Sequence, residues 1–562
     1  MKNIELLNNK NNNYFLSIGG IGEIGGNNYL YSFKGEQVIV DGGISFADDS
    51  LPGVDITIPD PYIFLNSNIK PKAMILTHAH EDHVGGLEYY FDKIDFPIYC
   101  NQFTFSYIKH KFNKIAGYEK KFIIIDDFQE IEFENFSFQL IPTTHSIPDP
   151  TGIFFKTLEG NIYHTGDWKI DKNPVTGSPF DYQNYQLLKD EKIDLLIGDS
   201  TNAGVNEISR SESELDPSFD KLFKKLNGRI VVTCFSSNIA RLKTIISNAI
   251  KQDKKIFVVG RSIKRAINTA IEEKLIENFE ILNEKKFQDY NKDKVLLICT
   301  GSQGEKNSAL WKIANNTHNQ IKLSSKDNII FSSKEIPGNE KSISYLKNSF
   351  SYLGLNIITD TDEFVHVSGH PGKNEIKEFY SFIQPKSLIP MHGEYLHLKK
   401  HLEIAKSLKI EKTNLLLSGD LCQLDLVNKN HKLIDQFIIK KLPVVQNLII
   451  EEDNFINERG KAQVISKGNW VTEHIRTAVL KYNYEIDKIK ELIQSTNSDG
   501  ISLHIDSSES IKLVKKLKKD ENFVIAWTVN DSRFMRKLTK WQADGIITDL
   551  SLIHISEPTR PY

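Results

Sequence analysis

The segment Thr77–His83 concentrates side chains that bind metal ions. It reads Thr-His-Ala-His-Glu-Asp-His. Alternate residues of an extended segment face the same way, so His78 and His80 can hold one ion. Asp82 and His83 turn onto a following helix, where they can face a second ion. Histidines in a polar surface loop are the alternative, which the density of ligand side chains disfavours.

Hydrolysis is the chemistry that such a segment supports. Two divalent ions about 3.5 to 4 Å apart can activate a shared hydroxide and stabilise an in-line displacement. The four cysteines lie far apart, without a Cys-x-x-Cys pair, which argues against a disulfide framework and against a thiolate zinc site. Histidine and carboxylate ligands remain, and they suit zinc and manganese alike.

Short strands must position this segment. The apolar run Ala73–Leu76 precedes it, so the histidines follow the C-terminal end of a strand, where sites of α/β sheets lie. Many short strands with few helices in the first 200 residues predict an α/β sandwich. These strands are Tyr14–Ile18, Asn28–Phe33, Gln37–Val40, Ala73–Thr77, Phe122–Ile125, Phe136–Ile141, Ile162–His164 and Asp194–Ile197.

Strands and helices alternate from about Glu212 to Val365, which predicts a separate, doubly wound α/β unit. Residues 440–470 show no clear periodicity, and we expect a domain boundary there. The main signals are the strands Gly228–Phe235, Lys255–Val259 and Lys294–Thr300, the helix Ile239–Lys251, and the later strands Ser387–Met391 and Asn414–Leu417.

Composition bounds the class of protein. A chain of 562 residues predicts three or so domains. The net charge of −3 gives no global basic field, so a polyanion must be held by a local channel or by bound ions. We find no apolar run of about 18 residues that could span a bilayer, and no secretory signal at the N-terminus. We expect a soluble, cytoplasmic protein.

The His-x-His-x-Asp-His pattern resembles the signature of the metallo-β-lactamase superfamily. Three further motifs of that superfamily follow in order: Thr144–Ser146, Thr165–Asp167 and Pro390–Glu394. The resemblance implies an α/β fold, the αββα sandwich, and assigns the ligands residue by residue. It gives one ion to His78, His80 and His145, the second to Asp82, His83 and His392, a bridging position to Asp167, and ligand orientation to Asp41.

The residues between Asp199 and His392 resemble the β-CASP nucleases, most closely the bacterial ribonuclease J family, over residues 14–460. The resemblance implies a β-CASP α/β domain inserted into the sandwich. It predicts metallo-β-lactamase segments at 1–210 and 366–445 and the insert at 211–365. The motifs are Gly198–Asn202, Thr300–Glu305, Ile336–Glu340 and His366–His370, with the opening run Gly19–Asn27.

Such a resemblance implies a ribonuclease with two divalent ions, zinc or manganese. It implies 5′→3′ exonuclease activity on 5′-monophosphorylated RNA, with endonuclease activity as well. Family members self-associate through a C-terminal domain that is not recognisable here, so oligomerisation of this chain stays open. We expect His370, aided by Asp199, to handle protons. The expected contacts to the RNA backbone are Ser236, Ser237, Asn238, His366, Val367, Ser368, Gly369 and His370.

Three alternatives compete with these assignments. Ser236 and its neighbours could only cap a helix. Gly20-x-Gly22-x-x-Gly25 could be a dinucleotide fingerprint with Asp41 as its ribose carboxylate, but the following Asn28–Phe33 alternates like a strand and not like the helix that motif requires. The third is a different function: the motifs His366–His370 and Thr300–Glu305 speak against an enzyme of this fold that acts on DNA or a small ester, and the complete set of seven metal ligands speaks against an inactive RNA-binding scaffold.

The C-terminal part departs from the family pattern after about Gly460. Residues 446–494 read as a linker of uncertain structure. Residues 495–549 resemble the last strands of a glycerophosphodiester phosphodiesterase barrel, but about two of eight βα units cannot close a barrel. Residues 551–562 resemble a translated sequencing adapter, so we predict an artefactual tail at 550–562 and assign it no function.

Overall fold

The structure is a computed structural model. It describes residues 2–47, 51, 54–65, 68–306, 308–410, 412–445 and 448–449, and the short segments 478–481, 500–504, 508–519, 523–527, 537–538, 540–541 and 545–546. The chain divides into two compact units, one formed by Met1–Asp48 and Asp55–Lys441, the other by Asp49–Val54 and Leu442–Tyr562. All the candidate site residues belong to the first unit.

An eight-stranded mixed sheet forms one layer of the first unit. Residues 13–124 supply six of its strands, and residues 420–436 supply the other two. In spatial order they are Lys432–Gln436, Asp420–Leu424, Asn13–Gly19, Asn28–Phe33, Glu36–Val40, Ala73–Ile75, Ile98–Cys100 and Phe122–Ile124.

A seven-stranded mixed sheet forms the second layer. Alternate side chains of the two sheets, such as Phe15, Val40, Leu140 and Ile197, are buried in one shared core, as expected for two sheets packed face to face. Its strands, in spatial order, are Ile131–Glu132, Phe136–Pro142, Thr151–Thr157, Gly160–His164, Leu195–Asp199, Ser387–Met391 and Lys412–Thr413.

Helices cover the outer face of the seven-stranded sheet. Apolar side chains of Gln186–Glu191, Lys373–Ile383 and Tyr395–Ser407 share a second core with that sheet, because each helix presents one apolar stripe. The helices of the sandwich are Tyr62–Leu65, Glu81–Val84, Gln102–Ile108, Gln186–Glu191, Lys373–Ile383 and Tyr395–Ser407.

The inserted segment forms its own five-stranded sheet, all parallel. Its central strands are runs of Ile, Val and Leu without polar alternation, which is typical of a parallel sheet covered on both faces. The strands, in spatial order, are Lys255–Val259, Val295–Cys299, Ile230–Thr233, Asn328–Phe331 and Asn356–Ile358, and the helices are Leu215–Lys225, Ile239–Lys251, Arg261–Glu272, Ala309–Ala314 and Glu340–Tyr352.

The second unit contains four parallel strands, Ala478–Lys481, Gly500–His504, Phe523–Trp527 and Gly545–Ile546, and the helix Ser508–Lys519. Three of these strands fall in the predicted barrel-like fragment 495–549, and the first falls in the predicted linker 446–494. The predicted tail 550–562 lies outside the described residues. The predicted domain boundaries therefore stay predictions.

The α/β fold class is confirmed, and three local predictions need correction. Gly228–Phe235 and Ala73–Thr77 contribute shorter strands, Ile230–Thr233 and Ala73–Ile75. Residues 414–417 are not a strand; the pairing ends at Lys412–Thr413, because the chain then turns through Gly419, whose φ is +98°. Among the described residues no helix has the length and apolarity to cross a membrane.

The glycine-rich opening is not a dinucleotide motif. Asn28–Phe33 is a strand paired with Asn13–Gly19, so the helix that such a motif requires is missing. The loop between the two strands instead lies against the short helix Glu81–Val84, where the Asn27 backbone N–H donates to the Asp82 carbonyl oxygen at 3.0 Å.

Candidate metal centre

Strand ends bring the candidate ligands together. Phe136–Pro142, Gly160–His164, Leu195–Asp199 and Ser387–Met391 run in the same direction in the seven-stranded sheet, so their carboxyl ends share one edge. His145, Asp167, Asp199 and His392 stand at or just after those ends. His78 follows Ala73–Ile75 of the facing sheet, and Asp82 and His83 lie on the helix Glu81–Val84.

Three histidines and an aspartate form the first group of candidate ligands. His80 Nδ1 lies 3.1 Å from His78 Nε2 and 3.0 Å from His145 Nε2. Asp167 Oδ2 lies 3.7 Å from the Nε2 atoms of both His78 and His145. Ligands of a tetrahedral ion with bonds of about 2.0 to 2.1 Å stand about 3.3 Å apart, so this donor set fits one divalent ion.

Burial favours the neutral form of these three histidines. Burial and the charge of neighbouring imidazoles lower the pKa values of His78 and His145 well below the ordinary value. Burial also lowers the pKa of His80 to about 4. A neutral imidazole keeps the lone pair that a metal ion requires.

Asp82, His83, Asp167 and His392 form the second group. His83 Nε2 lies 3.3 Å from Asp167 Oδ2, and His392 Nε2 lies 3.1 Å from Asp82 Oδ2. Burial opposes a charge on these histidines, but Asp167 and Asp82 outweigh it: the pKa of His83 is raised well above its usual value, and that of His392 to about 9. The carboxylates therefore favour positive charge here, which divalent ions supply.

Asp167 stands between the two groups and belongs to both. Its Oδ2 atom also lies 3.7 Å from His392 Nε2. The Oδ1 atom is buried without a hydrogen-bond partner among the described residues. A buried carboxylate oxygen normally has a partner, so the free Oδ1 atom is a further observation that fits a bound ion.

Hydrogen bonds orient four imidazoles so that Nε2 faces the centre. Asp41 Oδ2 accepts from His83 Nδ1 at 2.7 Å. The Gly369 carbonyl accepts from His145 Nδ1 at 2.7 Å. The remaining two pairs are His78 Nδ1 with Thr77 Oγ1 at 3.0 Å and His392 Nδ1 with Thr201 Oγ1 at 2.6 Å. Such partners fix the tautomer and direction of a metal ligand.

Sequence reasoning assigned no role to Thr77, Thr201 and Asn27. Thr77 also donates its hydroxyl to Asp41 at 2.8 Å, and Asn27 Nδ2 lies 3.0 Å from His83 Nε2. Thr77 and Thr201 each lie within a motif of the sequence, but nothing in their spacing identifies the histidine that each one contacts.

His370 and Asp199 form a hydrogen-bonded pair beside the second group. His370 Nδ1 lies 2.8 Å from Asp199 Oδ2 and 3.9 Å from Asp167 Oδ2. Burial opposes the charged imidazole, yet Asp199 and Asp167 together raise the pKa of His370. Because Nδ1 is held by Asp199, Nε2 is the ring atom that remains for a substrate. The same residues, with His392, also form a third candidate ligand group.

The turn His366–His370 closes over the first group. Ser368 Oγ accepts from Asn202 Nδ2 at 2.7 Å, and the His370 carbonyl accepts from the same amide at 3.2 Å. Gly369 packs against His145. Val367 is buried, whereas His366, Ser368 and Gly369 are half-buried.

The segment Ser236–Asn238 lies in the inserted domain, where it leads into the helix Ile239–Lys251. The side chain of Asn238 caps this helix by accepting from the Arg241 backbone N–H at 2.8 Å, and it donates to Glu212 at 3.3 Å. Ser236 contacts the Tyr107 hydroxyl of the sandwich. The cap is therefore Asn238, while Ser236 and Ser237 are half-exposed.

Gly369 allows the turn to approach His145, and we predict that Gly369→Ala weakens the centre. A Cβ atom there would lie 2.6 Å from His145 Cε1, so the imidazole must move or lose its Gly369 bond. Loss of such an orienting contact costs about 10- to 100-fold in metal affinity or activity. Metal titration and turnover measure the effect. Gly204→Ala, where the nearest atom is 3.7 Å away, is the control; equal behaviour of the two variants would contradict the prediction.

Three segments of the chain match known families. Residues 21–197 match the metallo-beta-lactamase superfamily. Residues 227–350 match the ribonuclease J beta-CASP domain, and residues 354–413 match the Zn-dependent metallo-hydrolase RNA specificity domain.

Relatives share sequence over most of the chain. Ribonuclease J 1 of Streptococcus pyogenes is 38% identical over 414 residues, which are 73% of this chain and 74% of that protein. Ribonuclease J of Sinorhizobium meliloti is 37% identical over 417 residues, again 73% and 74% of the two chains. A crystal structure of an Enterococcus faecalis protein of unknown function matches 74% of this chain and 100% of its own, with a TM-score of 0.50 and 17% identity, and shows likeness of fold alone.

Proposed function

Because the chain belongs to the ribonuclease J family of metal-dependent ribonucleases, we propose that it degrades RNA in the 5′→3′ direction from 5′-monophosphorylated ends, with internal cleavage as a second mode. The observation that carries the proposal is the His370–Asp199 pair, 2.8 Å apart, beside two groups of metal ligands that share Asp167. A proton donor beside a centre that can hold two ions supports hydrolysis of a phosphodiester bond.

Each group has a defined task in the proposed reaction. His78, His80 and His145 would hold one ion and Asp82, His83 and His392 the other, with Asp167 between them. When bound, divalent ions lower the pKa of water and offset charge on phosphate oxygens.

The protein's own side chains would supply the rest. The imidazole of His366 and the backbone N–H of Gly369 would be donors for the non-bridging oxygens, whose charge grows in the transition state. Water forms the new bond to phosphorus and the bond to the 3′ oxygen breaks. His370 Nε2 donates a proton to that oxygen, and it is reprotonated from solvent, which takes the proton released by water. The products are a 5′-phosphate and a 3′-hydroxyl.

Substrate preference tests the proposal. The full chain, supplied with zinc or manganese, is incubated with 3′-labelled RNA carrying a 5′-monophosphate, a 5′-triphosphate or a 5′-hydroxyl, and with single-stranded DNA of the same sequence. We expect 5′-mononucleotides, released about tenfold or more faster from the monophosphorylated RNA, because a bound terminal phosphate adds charged hydrogen bonds.

The other arms of that experiment decide between the alternatives. Cleavage of DNA or of a p-nitrophenyl ester while RNA stays intact would replace the assignment by another hydrolase of this fold. RNA that is bound and not cleaved by the metal-loaded chain would favour the scaffold. Internal fragments in place of mononucleotides would make endonucleolysis the main mode.

We propose zinc as the resident metal, because three neutral imidazoles form a donor set that zinc favours; elemental analysis of the purified protein, with manganese as the competing result, checks it. The resemblance to the family also supports a cytoplasmic location and self-association. Light scattering coupled to gel filtration measures self-association, and cell fractionation tests the cytoplasmic location.

A further inference from the structure

We propose that Arg241 is a positioning residue for RNA cleavage: together with Glu212 it fixes the main chain on both sides of His366 and leaves Nε2 as the N–H donor of that ring. The part that concerns RNA rests on the proposed function. The part that concerns the ring can be measured without any turnover.

Arg241 forms a fully buried ion pair with Glu212. Its side chain is 0% exposed and that of Glu212 is 2% exposed. Arg241 Nε donates to Glu212 Oε2 at 2.9 Å and Nη2 donates to Oε1 at 2.8 Å. Burial opposes the charge on Glu212, but Arg241 outweighs it and lowers the pKa of this carboxyl. The two-pronged contact fixes the plane of the guanidinium group.

The outer edge of the same guanidinium group holds the segment that leads into the turn. Nη1 donates to the Val365 carbonyl at 3.2 Å and Nη2 to the Val367 carbonyl at 3.2 Å. Nη1 also lies 2.8 and 2.7 Å from the carbonyl and hydroxyl oxygens of Ser332, so its two N–H groups are shared among these acceptors. Arg241 lies on the helix Ile239–Lys251 of the insert. Its contacts connect this helix to Ser332, just after the strand Asn328–Phe331, and to residues 365–367, where the chain leaves the insert.

The ring of His366 faces this donor. Arg241 Nη1 lies 3.3 Å from His366 Nδ1, and a guanidinium group donates hydrogen bonds and accepts none. Burial, followed by the positive charges of Arg241, Lys334 and Lys169, lowers the pKa of His366 well below its ordinary value. A neutral ring has one proton, and with Nδ1 as the acceptor that proton is on Nε2.

The Ser332 carbonyl is the competing partner, because it also lies beside the His366 ring. It already accepts from Arg241 Nη1 at 2.8 Å. If the His366 ring donated Nδ1–H to this oxygen, that proton would point toward the guanidinium group of Arg241. Nε2 would then carry no proton and could not donate to a substrate. The two arrangements therefore differ in one observable, the position of a single proton.

A lysine cannot replace Arg241 in this role. One ammonium group has three donors on a flexible stem and lacks the planar fork that contacts Glu212 and both carbonyl groups together. Buried ion pairs add little net stability, because desolvation offsets the attraction. This pair is therefore better explained by the geometry it imposes than by stability.

The protonated nitrogen of His366 is measured directly. Zinc-loaded full chain with ¹⁵N-labelled histidine is examined by NMR, and the His366 signals are identified by their loss in His366→Gln. We expect an unprotonated Nδ1 and a protonated Nε2. A protonated Nδ1 in the unmodified chain would overturn the proposal even if the chain cleaves RNA, and the expected result would stand even if it does not.

Kinetics of variants test the positioning role. Arg241→Lys and Glu212→Gln should each lower kcat/KM on 5′-monophosphorylated RNA by about 10- to 100-fold, the cost of one lost hydrogen bond to a charged group, and should change the His366 signals. The matched control is Arg229→Lys, which alters another buried ion pair of the insert, with Asp327 at 3.3 Å. Arg229 contacts no part of residues 365–370 in the hydrogen bonds of the described residues, and its variant should keep both readouts.

Gln at position 212 has the shape of Glu and keeps one oxygen that accepts from Arg241. If Arg241→Lys does not fold, Glu212→Gln therefore still tests the positioning role. A loss of activity in the Arg229 variant as large as in Arg241→Lys would overturn the positioning role, because any damaged ion pair would then suffice. Unchanged His366 signals in both Arg241→Lys and Glu212→Gln would overturn it as well.

Discussion

Asp167→Ala should reduce RNA turnover about 1,000-fold or more. Asp167 Oδ2 belongs to both groups of candidate ligands and lies 3.3 Å from His83 Nε2, so its loss would remove one donor from each ion. Metal ions supply several kcal/mol of charge stabilisation in the transition state. Turnover of 5′-monophosphorylated RNA and the metal content of the purified variant measure the effect.

The control for this prediction is Asp327→Asn. Asp327 is also a buried carboxylate, but it lies in the insert and pairs with Arg229. Loss of that charge should lower stability and leave the metal content and the turnover of the folded protein near those of the unmodified chain. An Asp167 variant that retains full metal content and turnover would remove this residue from the centre.

His370→Gln should lower kcat on RNA by about 100- to 10,000-fold, the range for a lost general acid, while metal content stays unchanged. The 3′ oxygen of RNA is a poor leaving group without a proton. A p-nitrophenyl ester of thymidine 5′-phosphate needs no such proton, because p-nitrophenolate leaves as a stable anion. The loss should therefore be much smaller on this ester, and a comparison of the two substrates measures proton donation at Nε2.

Asp199→Asn should act through the same atom. Asp199 Oδ2 accepts the His370 Nδ1 proton at 2.8 Å, so the two residues form one unit. Two changes within one unit are not additive, and the double variant should be about as slow as the slower single variant. Additive losses would separate their roles. A reduced metal content in His370→Gln would make His370 a ligand, as the third group of potential ligands allows.

Local patterns were enough to predict, from the sequence, the residues that the structure brings together as candidate metal ligands. Each of these motifs lies at the end of a strand or just after it, and the strand Ser387–Met391 has the predicted bounds. Where a strand ends, and which residues follow it, are properties of a few consecutive residues. The same reason explains the error at residues 414–417: their apolar run resembles a strand, but the tight turn at Gly419 depends on where the next strand must pair.

Only the tertiary structure decides which of these residues meet. The strands Leu195–Asp199 and Ser387–Met391 are separated by the whole insert, yet they are parallel neighbours with Asp199 opposite Met391. That register brings Thr201 to His392. A shift by one residue would turn every side chain of a strand to the other face, so register is set by burial on both faces of the sheet.

The contacts of Arg241 show the same limit. In the sequence, Arg241 is one cation in a helix, and most residues next to it are apolar. The Val365 carbonyl that it contacts lies 124 residues further along the chain. The residue types needed for hydrolysis, and the family that uses them, can be recognised from Thr77–His83 and the later motifs alone. The hydrogen-bond partners that fix the tautomers and directions of the histidines depend on packing between distant segments. A hydrogen bond requires two groups within about 3 Å in space, and it sets no spacing along the chain.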